Sequence, residues 1–161
     1  MIIRLLDKND WLAYKTLRLD ALLQHPEAFG PSVDEENQWS DFKFKKRLKT
    51  CDMFGAFVDN QLVGCAGYYI IPLIKMSHRG DLFFMYTQAA CRQTGVADAL
   101  LQAVILHAKN RVMQLHLEVS TNNAVAKRLY EKNGFKIYGT VPRSIKVGDH
   151  FCDGYLMVLT F

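Results

Sequence analysis

Apolar and polar positions change their period several times along the chain, and each change predicts an element. Residues 2–6, IIRLL, read as a first strand. Residues 8–24 place Trp11, Leu12, Leu17, Leu19, Leu22 and Leu23 at mixed three- and four-residue spacing, which is an amphipathic helix limited by Pro26. Ser32 followed by Glu35 three residues on has the form of a capping box, and helical segments are expected from there to about Lys49. Two apolar runs, 53–58 and 62–71, separated by DNQ, predict a hairpin. The run DLFFMYT, 81–87, predicts a buried strand. Residues 95–109 predict a helix, and LHLEV, 115–119, alternates strictly as a strand does. Residues 122–133 predict a helix closed by Asn133-Gly134. The segments FKIYGTV and FCDGYLMVLTF predict two last strands joined through Gly148-Asp149. Strands alternate with helices in the second half, so the expected class is α/β, a mixed sheet covered by helices.

Composition narrows this little. With 161 residues, half of them apolar and 22% charged, the chain is expected to form one soluble domain over residues 1–161. A net charge of +4 suits an anionic ligand. The basic run FKFKKRLK, 42–49, reads as a solvated helix face, and as a nucleic-acid patch it is short and has no aromatic platform of its own. No apolar run has the length of a membrane span, and the N-terminus has no secretory pattern. Cys51, Cys65, Cys91 and Cys152 are scattered without paired spacing, so reduced thiols in a cytoplasmic protein are expected, with neither a disulfide framework nor a metal site.

The candidate chemistry begins at RQTGVA, 92–97, between a strand and a helix. The first N–H groups of a helix lack internal partners and carry partial positive charge, so this junction is a candidate anion site. Gly95 lets the backbone approach a ligand, Ala97 keeps the next turn small, and Arg92 adds a donor fork. The turn lacks the Gly-Lys-Ser/Thr of a Walker loop and the glycines of GxGxxG. Further on, Asn123, Ala126 and Tyr130 fall at spacings of three and four, on one face of a helix, with Tyr130 about 10.5 Å along the axis from Asn123.

Together these residues resemble the GNAT superfamily of Gcn5-related N-acetyltransferases. That family's phosphate turn, R/Q-x-x-G-x-G/A, is matched by Arg92, Gly95 and Ala97. Its later motif is matched without a gap by Val119, Asn123, Ala126, Leu129, Tyr130, Gly134 and Phe135. The segments 22–32 and 139–159 look like one bacterial-type branch. The resemblance implies a central, mostly antiparallel sheet of about seven strands flanked by four or so helices. It also implies acetyl-CoA as the cofactor, with the diphosphate on Arg92, Gln93, Thr94, Gly95, Val96 and Ala97. The pantetheine arm would lie along Met85, Tyr86 and Thr87, held by Asn123 and given room by Ala126.

Tyr130 matches the family's general acid, and a backbone N–H near Tyr86 or Thr87 would polarise the thioester carbonyl. Asp81 ranks first as the base, ahead of His78 and Glu118; the remaining histidines are expected to be structural or exposed. Phe29, Tyr68 and Asp153 are candidates to line the site of a small-molecule or peptide amine. Thr87, Ala89 and Gln93 depart from the family's usual valine, proline and glycine, which implies weaker cofactor binding. The resemblance adds the expectation of a homodimer without fixing an interface. A CoA-binding regulatory module without transferase activity is the alternative, an ATP-binding protein comes third, and nucleic-acid binding ranks last.

Overall fold

The computed structural model describes residues 1–161. The chain runs β1 (Ile2–Leu5), α1 (Trp11–Gln24), α2 (Val33–Asn37), α3 (Asp41–Thr50), β2 (Asp52–Val58), β3 (Gln61–Ile70), β4 (Arg79–Thr87), α4 (Val96–Ala108), β5 (Gln114–Ser120), α5 (Ala124–Lys132), β6 (Lys136–Val147) and β7 (His150–Thr160). Short 3₁₀ turns at Lys8–Asp10, Pro26–Ala28, Ile74–Met76 and Ala89–Cys91 join them. Local chemistry accounts for most boundaries. The Ser32–Glu35 capping box forms in both directions, with Glu35 N–H donating to Ser32 Oγ at 3.2 Å and Ser32 N–H to Glu35 Oε2 at 2.7 Å. The helical stretch expected to Lys49 is interrupted, because Ser40 opens a separate helix, α3. The β2–β3 turn is two residues, Asp59-Asn60, both left-handed at φ 49° and 64°, the form that matches the twist of a hairpin. It is one residue tighter than the DNQ loop expected from sequence.

The seven strands form one sheet in the order β1-β2-β3-β4-β5-β7-β6. Every neighbouring pair is antiparallel except β4 and β5. Each face carries its own core. On one, Leu100, Leu101, Val104 and Ala108 of α4 pack with Ala66, Tyr68, Leu115, Leu117 and Met157 of the strands, and Tyr130 of α5 joins them. On the other, Tyr14, Leu17 and Ala21 of α1 and Phe44 and Leu48 of α3 pack on Met53, Cys65, Phe84 and Tyr86. Each large side chain buried in this way stabilises the fold by about 1.5–3 kcal/mol. Arg18 and Glu36, both buried, pair through two hydrogen bonds of 2.9 and 2.8 Å and tie α2 to α1.

A bulge in β4 decides which side chains reach which face. Gly67 pairs with Phe84 and Tyr68 with Leu82, so Phe83 is an extra residue in the ladder. Leu82 therefore faces α4, while Phe83 and Phe84 both turn toward α1 and α3. The run DLFFMYT shows no alternation because both faces of the strand are covered and its parity is reset midway.

Candidate active site

The parallel pair is short. β4 and β5 pair only at Arg79–Gln114, Gly80–Leu115 and Asp81–His116. Beyond that vertex, β4 stays with β3 as far as Thr87, paired to Gly64, and β5 stays with β7 as far as Ser120, paired to Gly154. The two strands diverge and leave the edge of β4 from Leu82 to Thr87 without a strand partner on the β5 side. An unpartnered edge of this kind can pair with an extended amide chain.

The mouth of this gap holds the turn from Gln88 to Gly95. The backbone N–H groups of Gln93, Thr94, Gly95, Val96, Ala97 and Asp98 donate to no protein acceptor. Gly95 is the N-cap of α4 at φ 87°, in the left-handed region that a glycine adopts without a Cβ penalty, and no side chain caps the helix. The 13-residue helix adds its dipole to these bare donors, which makes an anion seat. Asp98, the acidic residue of the first turn, is engaged elsewhere. It accepts from Asn133 Nδ2 at 3.0 Å and from Lys132 Nζ at 3.1 Å, and these bonds hold its carboxyl below the usual range. Gln93 sits at φ 61°, a conformation that costs a residue with a side chain about 1–2 kcal/mol.

Arg92 takes a different position from that of a phosphate clamp. Its Nε donates to the Thr87 carbonyl at 3.2 Å, its Nη2 lies 2.8 Å from His25 Nε2, and its guanidinium stands 5.8 Å from the centre of the Tyr86 ring. It ties the end of β4 to the end of α1. The Thr87 hydroxyl is buried with no hydrogen-bond partner.

Across the gap, α5 begins with Asn123, whose Oδ1 accepts from Ala126 N–H at 3.1 Å. The side chain is thus a helix cap first, and its Nδ2 donors remain without a protein partner. Tyr130 is buried, its ring 5.7 Å from that of Phe135 in an edge arrangement, and no protein group bonds its hydroxyl. Burial pushes this phenol well above its ordinary pKa, so the hydroxyl keeps its proton throughout the neutral range. Tyr86 is raised to about 12 by burial and by Asp20, whose Oδ2 accepts its proton at 2.7 Å.

The candidate bases lie on the α1 side of the sheet. Asp81 stands at the vertex, where Arg79 Nη2 at 3.1 Å and Tyr69 Oη at 3.4 Å already donate to its two oxygens. His116, its partner across the parallel pair, is a residue that the sequence reading leaves among the structural or exposed histidines. Nδ1 lies 3.1 Å from the Tyr138 hydroxyl, and Nε2 is buried without a partner. Burial first, and then Arg79, lowers its pKa, so the ring is neutral at pH 7. Strand parity is the signal that points to it, because a residue between Leu115 and Leu117 faces away from the α4 core. Glu118 shares that outward side. Ser144 Oγ donates to its Oε1, Oε2 has no protein partner, and the side chain lies over Gly154, where any Cβ would collide with it. His78 lies outside this group in the turn before β4, where its carbonyl accepts from Met113 N–H at 2.7 Å.

The three residues expected to line an acceptor site are not brought together. Phe29 packs on Phe84 at 5.5 Å, on the α1 side, where the 3₁₀ turn Pro26–Ala28 reaches over β5 and β6. Tyr68 does not face that cleft. It is fully buried under α4 with its hydroxyl 2.9 Å from His107 Nδ1, because regular alternation along β3 puts it on the same face as Ala66. Asp153 is spent on the β6–β7 ladder, accepting at 2.7 Å from the N–H of Arg143 where three residues of β6 bulge past it.

A sheet split beside an uncapped helix start offers an anion seat next to an open strand edge, and comparison with known proteins gives the chain a family. The sequence model of the Acetyltransferase (GNAT) family matches residues 15–135. The chain belongs to this family. An uncharacterized N-acetyltransferase of Mycobacterium tuberculosis is 34% identical over 102 residues, 62% of this chain and 61% of that protein, so the match spans less than two thirds of the relative. The L-amino acid N-acetyltransferase AaaT of Escherichia coli is 31% identical over 104 residues, 63% of this chain and 64% of that one. Among solved structures, yncA from Salmonella typhimurium, determined with its cofactor acetyl-CoA, has a TM-score of 0.84 at 19% identity over 99% of this chain and 93% of that one. A GNAT-family acetyltransferase from Streptococcus pneumoniae has a TM-score of 0.84 at 23% identity, covering 99% and 98%. At these identities the structural likeness concerns the fold.

Proposed function

We propose that the protein transfers the acetyl group of acetyl-CoA to a primary amine of a small molecule or peptide, by direct attack of the amine on the thioester. The observation that carries this reading is the run of unbonded N–H groups from Gln93 to Asp98 at the mouth of the β4–β5 split. The donors fit a diphosphate, and the unpartnered edge of β4 fits the amides of a pantetheine arm. Bound acetyl-CoA supplies an activated acetyl group as a thioester. The chain's own residues do the rest. Met85, Tyr86 and Thr87 offer backbone groups to the arm, and an N–H near Tyr86 or Thr87 polarises the carbonyl. Asn123 adds its free Nδ2, and Ala126 leaves room. Tyr130 carries the proton for the departing thiolate, which agrees with an unbonded hydroxyl on an otherwise buried side chain. Glu118, with one carboxylate oxygen unengaged, takes the proton of the attacking amine, while Asp81, bonded by Arg79 and Tyr69, orders the vertex.

Steady-state kinetics with a panel of amines tests this. Tyr130→Phe, which keeps the ring against Phe135, and Glu118→Gln are each expected to lower kcat roughly 10²–10⁴-fold. Acetyl-CoA affinity should stay within a factor of about two, because the diphosphate seat is untouched. An unchanged kcat would remove the altered residue from the mechanism. Acetyl-CoA binding without turnover of any amine in the unaltered protein would favour the regulatory-module alternative.

A further inference from the structure

The chain's excess positive charge sits on one helix. α3 carries Lys43, Lys45, Lys46, Arg47 and Lys49 against Asp41, and removing these from the chain's 20 basic and 16 acidic residues leaves 15 of each. None of the five cations makes an ion pair. Aromatic rings from outside the run lie beneath them. Lys43 Nζ is 3.9 Å from the centre of the Trp39 ring, with the Arg47 guanidinium 4.9 Å from the same ring, and Lys45 Nζ is 4.9 Å from Trp11. Phe42 is 72% exposed beside them. Two open concavities lie here, a groove of about 440 Å³ between Trp39, Phe42, Lys43, Lys46 and Arg47, and one of about 320 Å³ between Lys8, Trp11 and Lys45. The platform absent from the sequence run is therefore supplied by the fold.

We propose that this surface binds single-stranded nucleic acid, with the lysines on phosphates and the aromatic side chains under unpaired bases. The charge excess and the absence of ion pairs call for a polyanion. Flat rings beside cations favour bases as well as phosphates, and a duplex hides its bases from such rings. A membrane surface fits less well. An interfacial helix needs an apolar outer face, whereas Phe44 and Leu48 of α3 point into the core and Phe42 is its one exposed apolar side chain. The proposal does not depend on acetyl transfer, since the proposed cofactor seat lies in the turn that opens α4, from Gln93 onward.

Both tryptophans of the chain, Trp11 and Trp39, line these grooves, so intrinsic fluorescence reads the surface directly. The experiment titrates the full chain at low salt with an oligouridylate of about a dozen nucleotides, a length such a surface covers. Saturable quenching is expected, with affinity falling as salt rises. The K43Q/K46Q/K49Q variant should bind at least about tenfold more weakly, with the log–log salt slope reduced by about 0.7 for each phosphate no longer neutralised. Phe42→Ala, an exposed substitution, should weaken oligouridylate about fivefold or more and leave inorganic polyphosphate unaffected, because only the former can stack. Circular dichroism confirms that each variant is folded. No quenching by oligouridylate, full binding by the charge variant, or an equal response to polyglutamate or to phosphatidylserine vesicles would overturn the proposal.

Discussion

Two regions of this molecule favour anions, and they are built from opposite materials. At the start of α4 the donors are backbone N–H groups from Gln93 to Asp98, and the nearby cation, Arg92, is turned away toward Thr87 and His25. On α3 the backbone is satisfied within the helix, and the attraction comes from five lysine and arginine side chains without carboxylate partners. The first region selects by geometry, because fixed N–H groups converge on one place and a long side chain there would obstruct the ligand. The second has reach and charge but little rigidity, so it suits an extended polyanion and responds strongly to salt.

The sharpest way to break this comparison is at Gly95. Gly95→Ala places a Cβ on a residue at φ 87°, and that conformation costs an L-residue about 1–2 kcal/mol. The added methyl meets nothing in the free protein, so strain and not collision is the cause. The turn of the free variant relaxes out of this conformation and must return to it on binding, so acetyl-CoA binding, measured by calorimetry, is expected to weaken about five- to thirtyfold, since each 1.4 kcal/mol is a factor of ten. Oligouridylate binding to α3 should be unchanged. A parallel loss at both regions would mean that they are not independent. The smaller test runs the other way. Gln93→Gly removes the cost of a left-handed glutamine and should raise stability by up to about 1 kcal/mol in a denaturant titration, with acetyl-CoA bound equally or slightly more tightly. A loss of stability would show that the Gln93 side chain does something in the turn beyond tolerating it.

The sequence makes the elements plain wherever a period is sustained, as in LHLEV or in the helix from Val96. It also makes plain the glycine turn and the Asn123–Tyr130 face, because those depend on spacing along one element. What it hides depends on pairing between elements. The bulge opposite Gly67 reverses the side on which β4 residues emerge, and no local pattern announces it. Tyr68 of β3 shares the α4 face with Ala66, and the sequence reading puts it in a cleft that it does not reach because the apolar run of β3 does not say which helix covers which face. Asn123 reads as a ligand-binding amide, yet its oxygen is used to cap α5. Strand parity puts His116 on the open face, but its place beside Asp81 comes from the pairing of β4 with β5. The basic run lacks an aromatic platform in sequence because Trp11 lies on α1 and Trp39 just before α3, and tertiary packing brings them under Lys45 and Lys43.

The central claim is that the bare amides opening α4 receive the diphosphate of acetyl-CoA. Amide-resolved NMR of the isotopically labelled protein, with acetyl-CoA titrated in and ATP as the comparison, tests it most directly. The account predicts that acetyl-CoA produces its largest amide shifts from Gln93 to Asp98 and along Leu82 to Thr87, and that ATP does not reproduce the second set. Binding of acetyl-CoA that leaves Gln93 to Asp98 unmoved, or no binding at all, would contradict it.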